Sequence, residues 1–505
     1  MILEALEGGT SSQIAVAVPG GGPIVTYDQL RTQVDALIAS LTRHGLGRGD
    51  RIAIALPNGL EMVAAFLAAS SVGTAAPLNP AYRLDEFKFY LEDTGARALI
   101  VPPKDSEEAR QAAGDDTLII EADLDHNGQV RFSSVGAAGA PRARERSDSE
   151  DIALVLHTSG TTSRPKRVPL SHTNLMVSAR NVADTYKLTP EDVSLCVMPL
   201  FHVHGLMAST LATLLTGGTV IVPPRFNPLS FWSIVRDHRV SWYSAVPTIH
   251  QVLLGRTRAG ARPAGARPAG AEHLRFIRSC SAALAPQTMA DIEERLGAPM
   301  LEAYGMTEAA HQMASNPLPP GARKPGSVGR GTQVEIAILD EAGNLQSAGT
   351  TGEVSIKGTN VFSGYESNPE ANAVSFSHGW FRTGDQGYLD SDGYLTLVGR
   401  LKELINRGGE KISPREIDDV LLTHPSVAEA VCFGIPDRVY GEEVVAAVVL
   451  TDSATEAELK AHCRAVLADF KCPKMIYLVE AIPRTATGKI QRRNVAAEIL
   501  KSRNP

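Results

Sequence analysis

Short apolar runs recur along this chain, each too brief for a helix and each followed by an amphipathic or wholly apolar stretch of helical length. "RIAIAL" (Arg51–Leu56), "ALIV" (Ala98–Val101), "IALVL" (Ile152–Leu156), "TVIV" (Thr219–Val222) and "LRFIRS" (Leu274–Ser279) have the character of buried strands. "GLEMVAAFLAASSVG" (Gly59–Gly73) and "PQTMADIEERLG" (Pro286–Gly297) have the character of helices. This alternation predicts an α/β protein whose large N-terminal domain is built on mixed, largely parallel sheets. From Val334 to Gly358 the texture changes to strand, turn, strand, with Gly and Asn at the turns, which predicts a β-rich subdomain over about residues 325–400. Further on, "VGRLKELINRGGEKISPREIDDVLLTHP" (Val398–Pro425) has the look of a joint. In it Ser413, Pro414 and Glu416 predict a helix start, with Ser as N-cap, Pro at the first helical position and Glu closing a capping box. The division expected is an N-terminal domain over 1–400 and a small α+β domain over 401–505. The repeated "ARPAG" at 261–270 is too rich in Pro and Gly for a regular element and is expected to be a surface loop.

Composition narrows the partners. A formal net charge of -7 gives no electrostatic reason to expect nucleic acid. The five cysteines (Cys196, Cys280, Cys432, Cys463 and Cys472) include no CxxC pair, which argues against a disulfide framework or a zinc site and for a reduced, cytoplasmic setting. The opening "MILEALEGGTSSQ" lacks the basic and apolar regions of a signal peptide, and the closing "KSRNP" is not a peroxisomal tripeptide. No uninterrupted apolar window reaches the ~18 residues a membrane span needs.

The strand at Ile152–Leu156 delivers the chain into "TSGTTSRPK" (Thr158–Lys166). Hydroxyls, backbone N–H groups beside a glycine, and a terminal lysine together suit a polyphosphate. A Walker A loop is excluded, because the second glycine of that motif is absent. A polar linker is the plain alternative. "EAYGMTEAAHQ" (Glu302–Gln312) sets an aromatic ring that can cover a base beside a carboxylate that can hold Mg²⁺. "WFRTGDQGYLD" (Trp380–Asp390) offers Asp385 in a glycine turn, and "PRTATGKIQRR" (Pro483–Arg493) offers Lys489 after a glycine. Singly, each is weak.

In this order and together with "GRLKE…GGEKISP", these stretches resemble the acyl-adenylate-forming superfamily of acyl-CoA synthetases, luciferases and adenylation domains, over essentially the whole chain. The resemblance implies ATP, Mg²⁺ and coenzyme A as the small molecules handled, beside a carboxylic acid. It implies that Thr158, Ser159, Gly160, Thr161, Thr162 and Lys166 embrace the β- and γ-phosphates. Ser281, Ala282, Ala283, Glu302, Ala303, Tyr304, Gly305 and Met306 would line the nucleotide, with Tyr304 on adenine. Thr307 would touch the α-phosphate, Glu308 would bind Mg²⁺, and Asp385 and Arg400 would hold the ribose. Lys489, brought by a C-terminal domain swivelling about Lys402, would neutralise the attack; His202 completes the catalytic set. For CoA the implied residues are Gly408, Gly409, Phe470, Lys471 and Lys474, Phe470 being otherwise an ordinary core aromatic. Ser163 and Arg167 stand where many members have glycine; Arg167 would either add charge at the phosphates or point away.

The acid pocket implied by the resemblance draws on Phe201–Leu206, Tyr243–His250, Arg278–Leu284 and Ala309–Met313. A long fatty acid calls for small apolar residues there. Instead His204, Ser279, Ser281 and His311 converge, and buried polar groups need partners. Histidines are readily protonated near neutral pH, so these residues are expected to hold the second carboxylate of a very small diacid. The combination resembles the oxalate–CoA ligase branch; malonate or another short- or medium-chain acid is the alternative. Outside that class stands a nucleotide-binding module without catalysis, which would be expected to lack Lys489 or Glu308. Monomer and homodimer both remain open.

Overall fold

The computed structural model describes residues 1–135, 139–158, 165–259, 267–485 and 488–501. Ser159, Gly160, Thr161 and Thr162 of the hydroxyl-rich loop, and most of the ARPAG repeat, lie outside these. Among the described residues the strands form four sheets.

The seven-stranded sheet runs Val130–Val135, Leu118–Leu124, Ala98–Val101, Arg51–Ile54, Thr74–Pro77, Ile152–Thr158, Lys166–Ser171. Its interior pairs are parallel and its two edge pairs are antiparallel hairpins. The nine-stranded sheet runs Arg330–Gly331, His311–Ser315, Met300–Met306, Phe276–Ser279, Trp242–Ala245, Val193–Leu195, Thr219–Ile221, Ile14–Ala17, Ile24–Thr26. It too is parallel inside and antiparallel at its edges. The expected strands and helices therefore stand where the periodicity put them.

Helix Leu60–Val72 explains how the two sheets become one body. Every residue of it except Glu61 is buried. A helix apolar on all sides can only lie inside a protein. One continuous core joins it to Ile52, Ile54 and Leu154 of the first sheet and to Val16 and Val220 of the second.

A five-stranded antiparallel sheet follows, built on Glu335–Leu339, Gly352–Lys357, Phe376–Ser377, Trp380–Leu389 and Leu395–Arg400. The last sheet joins Glu410–Ile412, Ile405–Arg407, Gly441–Leu450, Val427–Asp437 and Met475–Leu478. It buries its own apolar cluster around Ile405, Ile417, Val444 and Leu459.

Helix Pro414–Leu422 begins at Ser413 with Pro at its first position, but the capping box does not form. The Ser413 hydroxyl donates instead to the Val398 carbonyl at 2.6 Å. Glu416 is taken by Lys471, whose ammonium donates to both carboxylate oxygens at 2.8 Å. Burial of Ser413 against the preceding strand offers its hydroxyl an acceptor, so it ties the last sheet back to the subdomain before it.

Candidate active site

Three neighbouring parallel strands, Trp242–Ala245, Phe276–Ser279 and Met300–Met306, release their loops on one edge of the nine-stranded sheet. In open α/β sheets ligands bind beyond the carboxyl ends of the strands. Gly305 near that edge admits no side chain, since a Cβ would lie 1.9 Å from the His311 carbonyl oxygen. That close approach lets the strand turn through Thr307–Ala309 and return as His311–Ser315, with Met306 opposite His311.

The turn buries Glu308. Its Oε1 accepts from the Tyr365 hydroxyl at 2.8 Å, while Oε2 is buried with no partner among the described residues. Burial pushes its pKa up, against the pull of Tyr365 and of the cations Arg400 and Lys166. Lys166 Nζ sits 4.0 Å from the centre of the Tyr365 ring. Thr158 and Lys166 face each other across the hairpin, so the two ends of the hydroxyl-rich loop are held together. An orphaned carboxylate oxygen beside a lysine fits a divalent cation shared with phosphates. Among the described residues no three His, Cys, Asp or Glu side chains could hold a metal ion by themselves, so phosphate oxygens and water would complete its shell. Arg167 turns away from this place and pairs with Asp93 and Glu366 at 3.2 and 3.0 Å.

Asp385 and Arg400 are opposite in register, and Arg400 Nε donates to Asp385 Oδ1 at 2.8 Å. The Tyr304 hydroxyl donates to the other carboxylate oxygen. Asp385 raises the pKa of Arg400 still further, which keeps it charged. Lys489 reaches the same cleft from the other end of the chain. The Gly488 backbone abuts Val246 and Thr248, which a Cβ would meet at 3.2 and 3.3 Å. Burial lowers the pKa of Lys489, and its ammonium also feels Arg400, Cys280, Glu308 and Asp385. The tail lysine and the two site carboxylates thus share one electrostatic environment. Burial lowers the pKa of Lys166, and the charge of Lys402, exposed in the turn Leu401–Glu403 beyond Arg400, adds to that lowering.

Beside this cleft lies a polar wall. His204 opens a π-helical segment, His204–Leu211, which is buried throughout. Such segments are rare and cluster at functional sites. His204 Nε2 and Ser244 Oγ are 2.6 Å apart, and His204 Nδ1 and Ser281 Oγ are 3.0 Å apart. The His311 ring stacks on His204 with centres 5.0 Å apart. Ser279 Oγ and His311 Nε2 are buried without partners among the described residues. Ser281 at φ 72° and His311 at φ 115° hold backbone conformations that side-chain-bearing residues rarely adopt, a strain characteristic of sites.

The expected imidazolium is overturned here. Burial drives the pKa of both His204 and His311 well below 6.5, and the neighbouring Arg278, His202 and Lys489 push the same way. His202 falls to about 3, through burial and then Lys489. The permanent positive charge in the wall is Arg278 instead, whose side chain is fully buried. It donates to Tyr186 Oη at 2.8 Å, Ser244 Oγ at 2.9 Å and Gln312 Oε1 at 3.1 Å. Burial opposes its charge, yet Tyr186 and Cys280 hold its pKa above the usual guanidinium value. Among the described residues no carboxylate pairs with it.

The residues expected to meet CoA stand apart, on the last sheet. Gly408 and Gly409, at φ 62° and 96°, make the turn between Ile405–Arg407 and Glu410–Ile412. Lys471 is engaged by Glu416, and Lys474 lies 3.7 and 3.6 Å from Asp437 and Glu443. Phe470 is 38% exposed, so it is not a core aromatic.

Two family models match the chain, an AMP-binding enzyme over residues 8–366 and an AMP-binding enzyme C-terminal domain over 416–489. The chain belongs to the AMP-binding, acyl-adenylate-forming enzymes. An oxalate–CoA ligase of Arabidopsis thaliana is 48% identical over 499 residues, covering 94% of each chain. An oxalate–CoA ligase of Saccharomyces cerevisiae is 44% identical over 531 residues, covering 97% of this chain and 96% of its own. Among solved structures, ATP-bound MatB from Rhodopseudomonas palustris superposes with a TM-score of 0.86 at 30% identity, over 100% of this chain and 99% of the other. As a member of this family the protein is an AMP-forming acid–CoA ligase that uses ATP, Mg²⁺ and CoA. Among the described residues no helix is long and apolar enough to cross a membrane.

Sequence reasoning missed Tyr365, and within the stretches assigned to the acid pocket it singled out none of Ser244, Arg278 and Gln312. Tyr365 lies 57 residues from the carboxylate it contacts, and no motif marks it. Arg278 falls in "LRFIRS", already read as a buried strand, and Phe276–Ser279 is buried at every position, which is what makes it a buried cation.

Proposed function

We propose that this ligase activates oxalate to oxalyl-AMP and then to oxalyl-CoA, releasing pyrophosphate and AMP. The observation that carries the reading is the buried, carboxylate-free Arg278 behind His204, Ser244 and Ser281. An unpaired buried cation is costly, and a small anion lodged against this wall offsets that cost. The curated oxalate–CoA ligases at 48% and 44% identity support the same substrate. The His311 and Ser279 orphan atoms supply two further polar contacts. A fatty acyl tail would leave the His311 and Ser279 atoms unsatisfied and the Arg278 charge unanswered.

In the first half-reaction one carboxylate of the acid attacks the α-phosphorus of ATP and pyrophosphate leaves. Two anions must meet, so the protein's task is charge neutralisation and alignment. Lys489 stands between the acid wall and the nucleotide cleft and stabilises the charge that develops there. Lys166 and the hydroxyl-rich loop hold the departing phosphates, and Thr307 the α-phosphate. Asp385 and Arg400 hold the ribose, and Tyr304 lies on the base. Glu308 would hold the Mg²⁺ ion, whose charge would neutralise the phosphates. His202, neutral at working pH, borders the acid without competing for its charge. In the second half-reaction the thiol of CoA attacks the acyl-AMP. Residues 401–505 swing about Lys402, withdrawing Lys489 and bringing Gly408, Gly409 and Phe470 to the thiol's path.

The test is pyrophosphate release with oxalate, malonate and a medium-chain fatty acid, with and without CoA. Oxalate should give the highest kcat/KM. Strong malonate turnover without an oxalate response would replace the substrate, and no release with any acid would return the protein to a nucleotide-binding module.

A further inference from the structure

We propose that Arg278 is a positioning residue for acid recognition, acting by fixing the direction of the hydrogen-bond chain Arg278–Ser244–His204–Ser281. This rests on the reading of the wall as the acid site. A guanidinium can only donate. Its N–H therefore points at Ser244 Oγ, at 2.9 Å. Ser244 is fully buried, and the acceptor within reach of its own hydrogen is His204 Nε2, at 2.6 Å. Were His204 protonated on Nε2 instead, the Ser244 hydroxyl would receive two donors and its hydrogen would have no acceptor, a buried loss that native structures avoid. His204 is thereby held as the Nδ1–H tautomer, and Nδ1–H donates to Ser281 Oγ at 3.0 Å.

The consequence falls on Ser281. It is part-exposed, and Ala282 and Ala283 after it are exposed, so it stands at the mouth of the site. With its oxygen accepting from His204, its hydrogen is left over and faces the substrate as a donor. In the reversed chain that hydrogen would be spent on His204, and the acid would meet lone pairs. The orientation thus decides whether an anion meets a donor or an acceptor. The same guanidinium is anchored on its far side by Tyr186 and Gln312, and Gln312 Nε2 donates in turn to Thr185 Oγ1 at 3.1 Å.

Two measurements test this. The first is the ¹⁵N resonance pattern of His204 in the acid-free enzyme, assigned with a His204→Gln control. The Nδ1–H tautomer is expected; an Nε2–H tautomer overturns the proposal, whichever acid the enzyme uses. The second compares Arg278→Met, Arg278→Lys and Ser244→Ala in steady state. Losing a charge-assisted positioning bond should raise the KM for oxalate by about tenfold to a hundredfold while the KM for ATP stays within about twofold. Arg278→Lys, which keeps a donor aimed at Ser244, should recover part of the loss. Equal rises in both KM values, or no change in Ser244→Ala, would reduce Arg278 to a structural residue. Should wild type ignore oxalate while His204 shows the Nδ1–H tautomer, the substrate reading falls and the relay stands.

Discussion

Titrating the enzyme from pH 6.5 to 8.5 should leave the KM for oxalate within about twofold, because the positive charge of the acid wall resides on a group that does not titrate there. His204 faces His311, Arg278, His202 and Lys489, and His311 faces Arg278, His202 and Lys489. None of these neighbours is a carboxylate that could draw a proton onto either ring. Burial and those neighbours together put both imidazoles well below 6.5, so both are neutral throughout the window. Were an imidazolium the clamp, the protonated fraction would fall about tenfold per pH unit above its pKa, and KM would climb about a hundredfold across the range. A bound dianion lifts a nearby imidazole's pKa; lifted even to the ordinary ~6.5, it would leave little slope above pH ~7.5. The assay is coupled pyrophosphate release at saturating ATP, Mg²⁺ and CoA, with oxalate varied at each pH. A climb approaching a hundredfold, with the KM for ATP flat, would refute the assignment of the charge to Arg278.

Replacing Lys489 with Ala should remove a Coulomb interaction worth ~4 kcal/mol at contact distance and an intermediate dielectric, slowing adenylate formation ~10³-fold. Thiol transfer from preformed acyl-AMP should survive within a few-fold, and equal loss in both half-reactions would count against the swivelling tail. Tyr365→Phe strips Glu308 of its hydroxyl donor and should raise the Mg²⁺ concentration for half-maximal rate by about tenfold; an unchanged requirement would remove Glu308 from the metal's shell. Glu302 is buried, and burial lifts its pKa from 4.5 to about 7. Its contribution to stability is full below the unfolded pKa and is lost as pH rises through the folded one, a loss of ~3 kcal/mol by pH 8.5. Glu302→Gln should therefore raise Tm relative to wild type at pH 8.5 and not at pH 5, measured without nucleotide; a gain at both would point to a different cause.

The fold was legible because its logic is local. Strand Ala98–Val101 is buried at every position and reads as an unbroken apolar run, and helix Leu60–Val72 is bounded by glycines and apolar on all sides. The candidate nucleotide residues could be proposed as a set, since hydroxyls, a carboxylate and two lysines in fixed order carry their chemistry in their names. Two kinds of information were not local. The capping role expected of Ser413 lost to a carbonyl 15 residues earlier, a partner that tertiary packing supplied. The charge state expected of His204 and His311 lost to burial beside Arg278, Lys489 and His202, drawn from three separate segments.

That second loss bears on how a two-step ligase keeps hold of its substrate. Lys489 arrives on a loop of the C-terminal region, and any swivel that admits CoA must carry it away. A wall relying on Lys489 for charge would release the acid's remote carboxylate midway through catalysis. Arg278 is rooted in strand Phe276–Ser279, inside the nine-stranded sheet, and cannot leave with the tail. On the proposed reading its charge, relayed through Ser244 and His204, acts on the acid in both half-reactions. The division of labour follows: the mobile cation serves the phosphorus and the fixed one serves the acid. On this account Arg278→Met should weaken both half-reactions for oxalate, whereas Lys489→Ala should weaken the first. A double variant tested on preformed oxalyl-AMP should then behave like Arg278→Met alone. Further loss in the double variant would place Lys489 at the acid during thiol transfer and undo the division.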